Sequence, residues 1–202
     1  MKLYDFSGAP NPKKVRVYLA EKGIEVPIEP VNILSGDNRK PEFLAKNPMG
    51  GLPVLELDDG TCLPESLAII EYFEELHPEP PMIGTTAVER ARVRALERIC
   101  ELGVLSRVAQ IFQNTSPFFA GRLKQSAEAA ESASGMLQGN LRVLDAAIGS
   151  KPFVAGDRPS IADCTLLAAL GFAEFGQVPI DPKFANIHRW WADFRKRPSA
   201  SA

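Results

Sequence analysis

The chain has 202 residues, 45% hydrophobic and 24% charged, with a formal net charge of −2. That length suits one or two domains with an ordinary buried core, needing neither disulfides nor a metal to fold, and the composition excludes disorder. The 23 basic residues are dispersed, which argues against a nucleic-acid groove or a polybasic membrane patch, and no run of about 18 apolar residues offers a membrane span.

In chain order, Lys2 to Phe6 reads as a short strand. Asn11-Pro12, apolar residues Val15, Tyr18 and Leu19, and then Gly23 predict a helix, with Asn11 as N-cap and Gly23 past its end. Val26 to Ile33 reads as a strand that Pro27 and Pro30 place at a sheet edge. Pro41 to Asn47 is a short helix. Pro53 to Leu57 and Thr61 to Leu63 form a hairpin around Asp58-Asp59-Gly60. Leu67, Ile70, Phe73 and Leu76 then recur at helical intervals, as far as about His77. The order βαβαββα predicts a compact α/β domain over residues 1–77.

Residues 78–87 hold three prolines and a glycine, a linker composition. Residues 88–202 read as an all-helical domain. Val88, Ala91, Ala95, Ile99, Leu102, Leu105, Ala109 and Phe112 form a long helical stripe. Leu137, Leu141, Leu144 and Ile148 form a second. Ser160 to Phe172 is a very apolar third helix, and Ile187, Trp190, Trp191 and Phe194 mark a last one. Ser160 and Asp163 have the form of a capping box, a structural role for which no ligand contact is expected.

Cys62, Cys100 and Cys164 lie far apart in apolar stretches and read as buried free thiols of a cytoplasmic protein. With no CxxC pair, and with His77 and His188 as the only histidines, no metal site is expected. The N-terminus lacks the apolar core of a secretory signal.

Three segments carry a resemblance. They are Asn47-Pro-Met-Gly-Gly-Leu-Pro-Val-Leu-Glu-Leu57, Glu65-Ser-Leu-Ala-Ile-Ile-Glu-Tyr72 and Phe153-Val-Ala-Gly-Asp-Arg-Pro-Ser-Ile-Ala-Asp163. In this order and spacing the chain resembles the cytosolic glutathione S-transferases of bacterial type over nearly its whole length. The resemblance implies a thioredoxin-like N-terminal domain, an all-α C-terminal domain, a homodimer, and glutathione as co-substrate without a metal. It also implies a cis bond between Leu52 and Pro53, after Gly50-Gly51, which presents the backbone of Leu52 to the extended tripeptide. Ser66 would hold the γ-glutamyl carboxylate at a helix N-terminus and Glu65 the α-amino group. A plain N-cap would also account for Ser66.

A transferase must raise the thiolate fraction of a thiol whose ordinary pKa is about 8.5; lowering it by two units corresponds to about 2.7 kcal/mol. Where family members commonly place a catalytic Ser, this chain has Ala9. Asn11 is the first candidate to donate to the sulfur, as in Asn-containing members such as those of the nu class, and Ser7 is the second. Arg39 and Lys40 are candidates for the glycine carboxylate, though surface cations are commonplace. Phe112 and Phe119, with Phe118, are candidates for an acceptor pocket or for ordinary core. The expected activity is attack of the glutathione thiolate on an electrophile, or on a peroxide or disulfide. The alternatives are a non-catalytic binding or regulatory module, or a glutathione-dependent isomerase or dehalogenase.

Overall fold

The computed structural model describes every residue, Met1–Ala202. Its first part runs β1 (Lys2–Asp5), α1 (Pro10–Lys22), β2 (Ile28–Pro30), α2 (Pro41–Leu44), β3 (Val54–Glu56), β4 (Cys62–Pro64) and α3 (Ser66–Leu76). The sheet order is β2-β1-β3-β4, with β1 and β2 parallel and the other pairs antiparallel. This is a thioredoxin-like domain. Strand β2 is exposed throughout and lies at the edge, where the missing N–H of Pro30 costs nothing.

Helix α1 begins earlier than the sequence predicts. Ala9, in extended conformation, is its N-cap and Pro10 its first residue, so Asn11 lies inside the first turn and caps nothing. Two prolines compete for the first helical position, and the earlier one takes it. The far end is as expected: Gly23 adopts φ 67° and its N–H bonds back to the last turn.

The second part is helical. Helix α4 (Ala87–Arg98) runs through a π-helical stretch (Ile99–Leu105) into α5 (Ser106–Thr115), followed by α6 (Ala127–Ile148), α7 (Ile161–Phe175) and α8 (Ala185–Phe194). A final 3-10 turn spans Pro198–Ser201. Leu137, Leu141, Leu144 and Ile148 of α6 are buried as the spacing predicts. Helix α7 is buried along nearly its whole length and packs against α1 and α4.

The predicted stripe on α4 is wrong in part. Val88, Ala91, Ala95 and Leu102 are exposed, Leu105 is buried as predicted, and the rest of the buried face through the π-helical stretch into α5 is Val93, Glu97, Cys100, Val104 and Val108. Glu97 interrupts that face in the sequence. One of its oxygens accepts from the Thr165 hydroxyl at 3.1 Å; the other has no hydrogen-bond partner and lies 3.5 Å from the Arg98 guanidinium. Burial, then the neighbouring Glu101, pushes its carboxyl pKa upward. Cys62 is also half-buried rather than buried, whereas Cys100 and Cys164 are enclosed.

The stretch between α3 and α4 is not a loose tether. The Lys22 ammonium reaches back from α1 to the carbonyls of His77 and Pro80, both at 2.6 Å, and to Glu74 at 2.8 Å. The buried Glu74 carboxylate also accepts from the Tyr18 hydroxyl at 2.7 Å and from the N–H groups of Met82 and Ile83. The Met82 carbonyl then takes the N–H of Ile161 at the start of α7. Two apolar side chains, Met82 and Ile83, are buried alongside.

Asp163 anchors α7 in the same manner. Its fully buried carboxylate accepts from the Ser160 N–H at 2.9 Å and the Ser160 hydroxyl at 2.8 Å. It also accepts from the Val154 N–H at 2.9 Å and from Trp190 Nε1 at 2.8 Å. Burial pushes its pKa up to about 6 although all these donors pull the other way. The Ser160 hydroxyl donates to the carboxylate rather than to solvent, so the box is tighter than a surface cap. An amide at this position offers one acceptor oxygen and turns an NH₂ toward donors. Asp163→Asn should therefore lower unfolding stability by about 2–4 kcal/mol. Chemical denaturation of the two proteins at pH 7 measures it.

Candidate functional site

The register of the sheet assembles the site. Tyr4 of β1 lies opposite Val54 of β3, and Val54 opposite Pro64 of β4. Because β3 runs against both neighbours, the loop after β1, the Leu52-Pro53 bond before β3 and Glu65-Ser66 after β4 emerge at one end of the sheet. Adjacent strands lie about 4.8 Å apart, so the three segments span roughly 10 Å, the scale of a small extended peptide.

Each segment presents polar groups with no partner in the protein. The Leu52-Pro53 bond is cis, and neither the N–H nor the C=O of Leu52 makes a hydrogen bond. Asn47 shapes the approach to it: its amide donates to the Gly51 carbonyl at 2.9 Å and accepts from the Met49 N–H at 3.1 Å. Gly50 has φ 65°, and a Cβ there would lie 2.8 Å from the Asn38 carbonyl oxygen, so both its conformation and its space require glycine. The sequence reading quoted Asn47 without giving it this role.

Glu65 precedes α3 with φ 72°, unusual for a residue with a side chain. It is exposed, and no acidic residue lies in the first turn of α3. Ser66 is buried, and neither its hydroxyl nor its N–H makes a hydrogen bond within the chain. The helix N-terminus is thus open to an anion.

In the loop after β1, Ser7 is exposed and its hydroxyl has no protein partner, while its carbonyl accepts from Arg16 at 3.0 Å. The Asn11 Oδ1 is buried without a partner. Tyr4 is committed elsewhere, donating to Glu56 at 2.7 Å and packing edge-on against Phe43.

Beside this row opens a cleft of about 500 Å³ between the loop after β1 and helices α7 and α8. Ser7, Gly8 and Ala9 form one lip, and Leu34, Phe172, Phe175 and Trp191 form apolar walls. Phe175 is 72% and Leu34 69% exposed, an unusual concentration of large apolar surface in a concave site. Arg195 also lines it, lying over the Trp191 ring and 3.6 Å from Glu174.

The other candidates lie apart from the cleft. Phe112 and Phe119 do not line it. Phe112 packs edge-on against Phe172 at 5.3 Å and against Phe119 at 5.6 Å, backing the wall. Arg39 donates to the Met49 carbonyl at 3.1 Å and so braces the loop that leads to Leu52. Lys40 pairs with Asp37 at 2.7 Å and borders a separate crevice beside Tyr4 and Phe43. Lys40 is thus paired with a carboxylate, whereas Arg39 is not. Sequence reading missed Leu34, Phe172, Phe175, Trp191 and Arg195, for which no local spacing gave a signal.

Comparison with known proteins fits this geometry. The glutathione S-transferase N-terminal domain family matches residues 3–81, and the glutathione S-transferase C-terminal domain family matches residues 99–198. Glutathione S-transferase 2 of Saccharomyces cerevisiae is 34% identical over 98% of this chain and 87% of its own. A maleylacetoacetate isomerase of Pseudomonas aeruginosa is 33% identical over 90% of this chain and 85% of its own. A crystal structure of a glutathione S-transferase from Methylobacillus flagellatus with GSH bound superposes with a TM-score of 0.85. It is 27% identical and covers 99% of this chain and 96% of that one. Both halves match one family in order, and the full-length relatives agree. The chain belongs to the glutathione S-transferase family.

Proposed function

We propose that the protein is a glutathione transferase that joins the glutathione thiolate to an apolar electrophile, with glutathione as its co-substrate. The observation that carries this reading is the apolar cleft, walled by Leu34, Phe172, Phe175 and Trp191, which opens where α1 begins. The sheet end beside it supplies what an extended tripeptide needs. The unpaired backbone of Leu52, ahead of Pro53 and after Gly51, pairs with the cysteinyl unit. Ser66 and the open end of α3 take the γ-glutamyl carboxylate, and Glu65 takes the ammonium. Asn11 and Ser7, neither of whose side chains has a protein partner, are the side-chain donors for the sulfur.

A second reading, an isomerase, has a specific support in the likeness to maleylacetoacetate isomerase. Maleylacetoacetate is a dicarboxylate. In the cleft Arg195 is already faced by Glu174, and the walls are aromatic, which favours the apolar acceptor. Assays of both chemistries on one preparation decide between them. A chloronitroarene should be conjugated faster than maleylacetoacetate is isomerised; the reverse order supports the isomerase, and glutathione binding with no turnover of either supports a binding module. We further propose a cytoplasmic homodimer. The exposed Val88 of α4 and Leu102 of the π-helical stretch offer apolar surface for it, and sedimentation should give about twice the 22.0 kDa of one chain.

Two substitutions separate the subsites. Ser66→Ala should weaken glutathione binding by about 1–3 kcal/mol, through loss of a hydrogen bond to a charged group; calorimetry reads it directly, and unchanged affinity moves the carboxylate elsewhere. Phe175→Ala should cut kcat/KM for an apolar acceptor roughly tenfold by removing apolar contact, with glutathione affinity unchanged.

A further inference from the structure

Helix α1 opens with three cations, and two of them are committed to carboxylates. Lys14 is buried against Glu101. Arg16 holds Asp5 at 2.7 Å as well as the Ser7 carbonyl. Lys13 has no side-chain carboxylate. Its ammonium donates to the Ala200 carbonyl at 2.8 Å and to a main-chain oxygen of Ala202, the last of the 202 residues, at 2.6 Å, which leaves one of its three donors unpaired. These two oxygens belong to the turn over Pro198–Ser201 and the residue after it, a turn that is itself fastened to α1. Arg197 grips Glu21 through two bonds of 2.7 Å, and Ser199 donates to the same carboxylate. A lysine held at two points has already lost the rotamer freedom that makes most surface ammonium groups weak partners.

Lys13 lines the apolar cleft together with Ser7 and Ala9. Burial, and secondarily Arg16, hold its pKa below the ordinary lysine value, as for an ammonium partly withdrawn from water. Asp5 lies behind it and acts in the opposite direction. Across the cleft Glu174 and Arg195 face each other.

The start of α1 is poor in ordinary donors. Pro10 and Pro12 have no N–H, and the Lys13 N–H bonds to the Ala9 carbonyl at 3.3 Å. Asn11 alone retains a free N–H in that turn. A helix end of this kind keeps its dipole but has little hydrogen-bonding capacity for an anion, while a fixed positive charge stands one turn away.

We propose that Lys13, held by the C-terminal turn, activates the glutathione thiol by stabilising its thiolate. This rests on the glutathione reading above. The thiol proton leaves to solvent, and the ammonium keeps its own proton before and after. Lys13 acts as a fixed charge and not as a base.

The test uses the full chain with glutathione and three variants. Lys13→Met removes charge and donors. Lys13→Gln keeps an NH₂ for the two oxygens without the charge, and Lys13→Arg keeps the charge. Ultraviolet titration gives the pKa of the bound thiol, and thermal unfolding checks that the C-terminal turn stays docked. Met and Gln should each raise that pKa by about one unit, or tenfold in the thiolate-to-thiol ratio at a pH below it, with Arg near wild type. A wild-type thiol pKa in the folded Gln variant overturns the assignment and makes Lys13 a clamp for the C-terminus. Failure of the wild-type protein to bind glutathione overturns the glutathione reading, and this assignment with it.

Discussion

Helix α1 carries two ammonium groups into the interior, and the site depends on how they are neutralised. Lys14, near its start, is enclosed against Glu101 of the π-helical stretch, and Lys22, near its end, against Glu74 and two carbonyls. Removing one partner from a buried pair costs about 3–5 kcal/mol, because the other charge is stranded. The helix is therefore pinned at both ends and cannot slide along its axis. Its first turn stands at a fixed place against α7, and the cleft is bounded by those two elements.

The two proposed substrate subsites draw on different parts of the chain. The proposed tripeptide site is made of backbone edges, one short hydroxyl and a helix end, all placed by strand register. The proposed acceptor wall is made of side chains at exposed positions, Leu34 and Phe175 foremost. Exposed positions can change without cost to the core, whereas the register cannot. A fold arranged in this way can keep one co-substrate while its second varies, and relatives named as transferases and as isomerases both match this chain.

Much of the fold was legible because the local signals agreed with one another. The edge prolines of β2, the glycine that closes α1 and the Ser160–Asp163 box each have a single cheap structural solution. Two failures have equally definite causes. Asn11 read as a cap because Pro12 is an acceptable first residue, and only the tertiary placement of the helix shows that Pro10 takes that position. The face of α4 was misassigned because its buried side includes Glu97, which a periodicity of apolar residues rejects. The site divides in the same way. Leu52, Glu65 and Ser66 lie in contiguous motifs, so the sequence nominates them, whereas the cleft joins residue 34 to residues 172–195 and no local pattern can announce it.

The hydrogen bond from Ile161 to Met82 ties the connector to the first turn of the central helix, and Lys22 ties the same connector to α1. A seam of hydrogen bonds occupies the place where a hinge would have to be. Exchange of ligands through a rigid-body opening of the two halves would break that seam, and such motions belong to the microsecond-to-millisecond range. The cleft mouth instead carries exposed side chains, whose rotamers interconvert in picoseconds to nanoseconds. A swing of the exposed Phe175 ring is thus a faster route into the proposed acceptor subsite than a parting of the two halves.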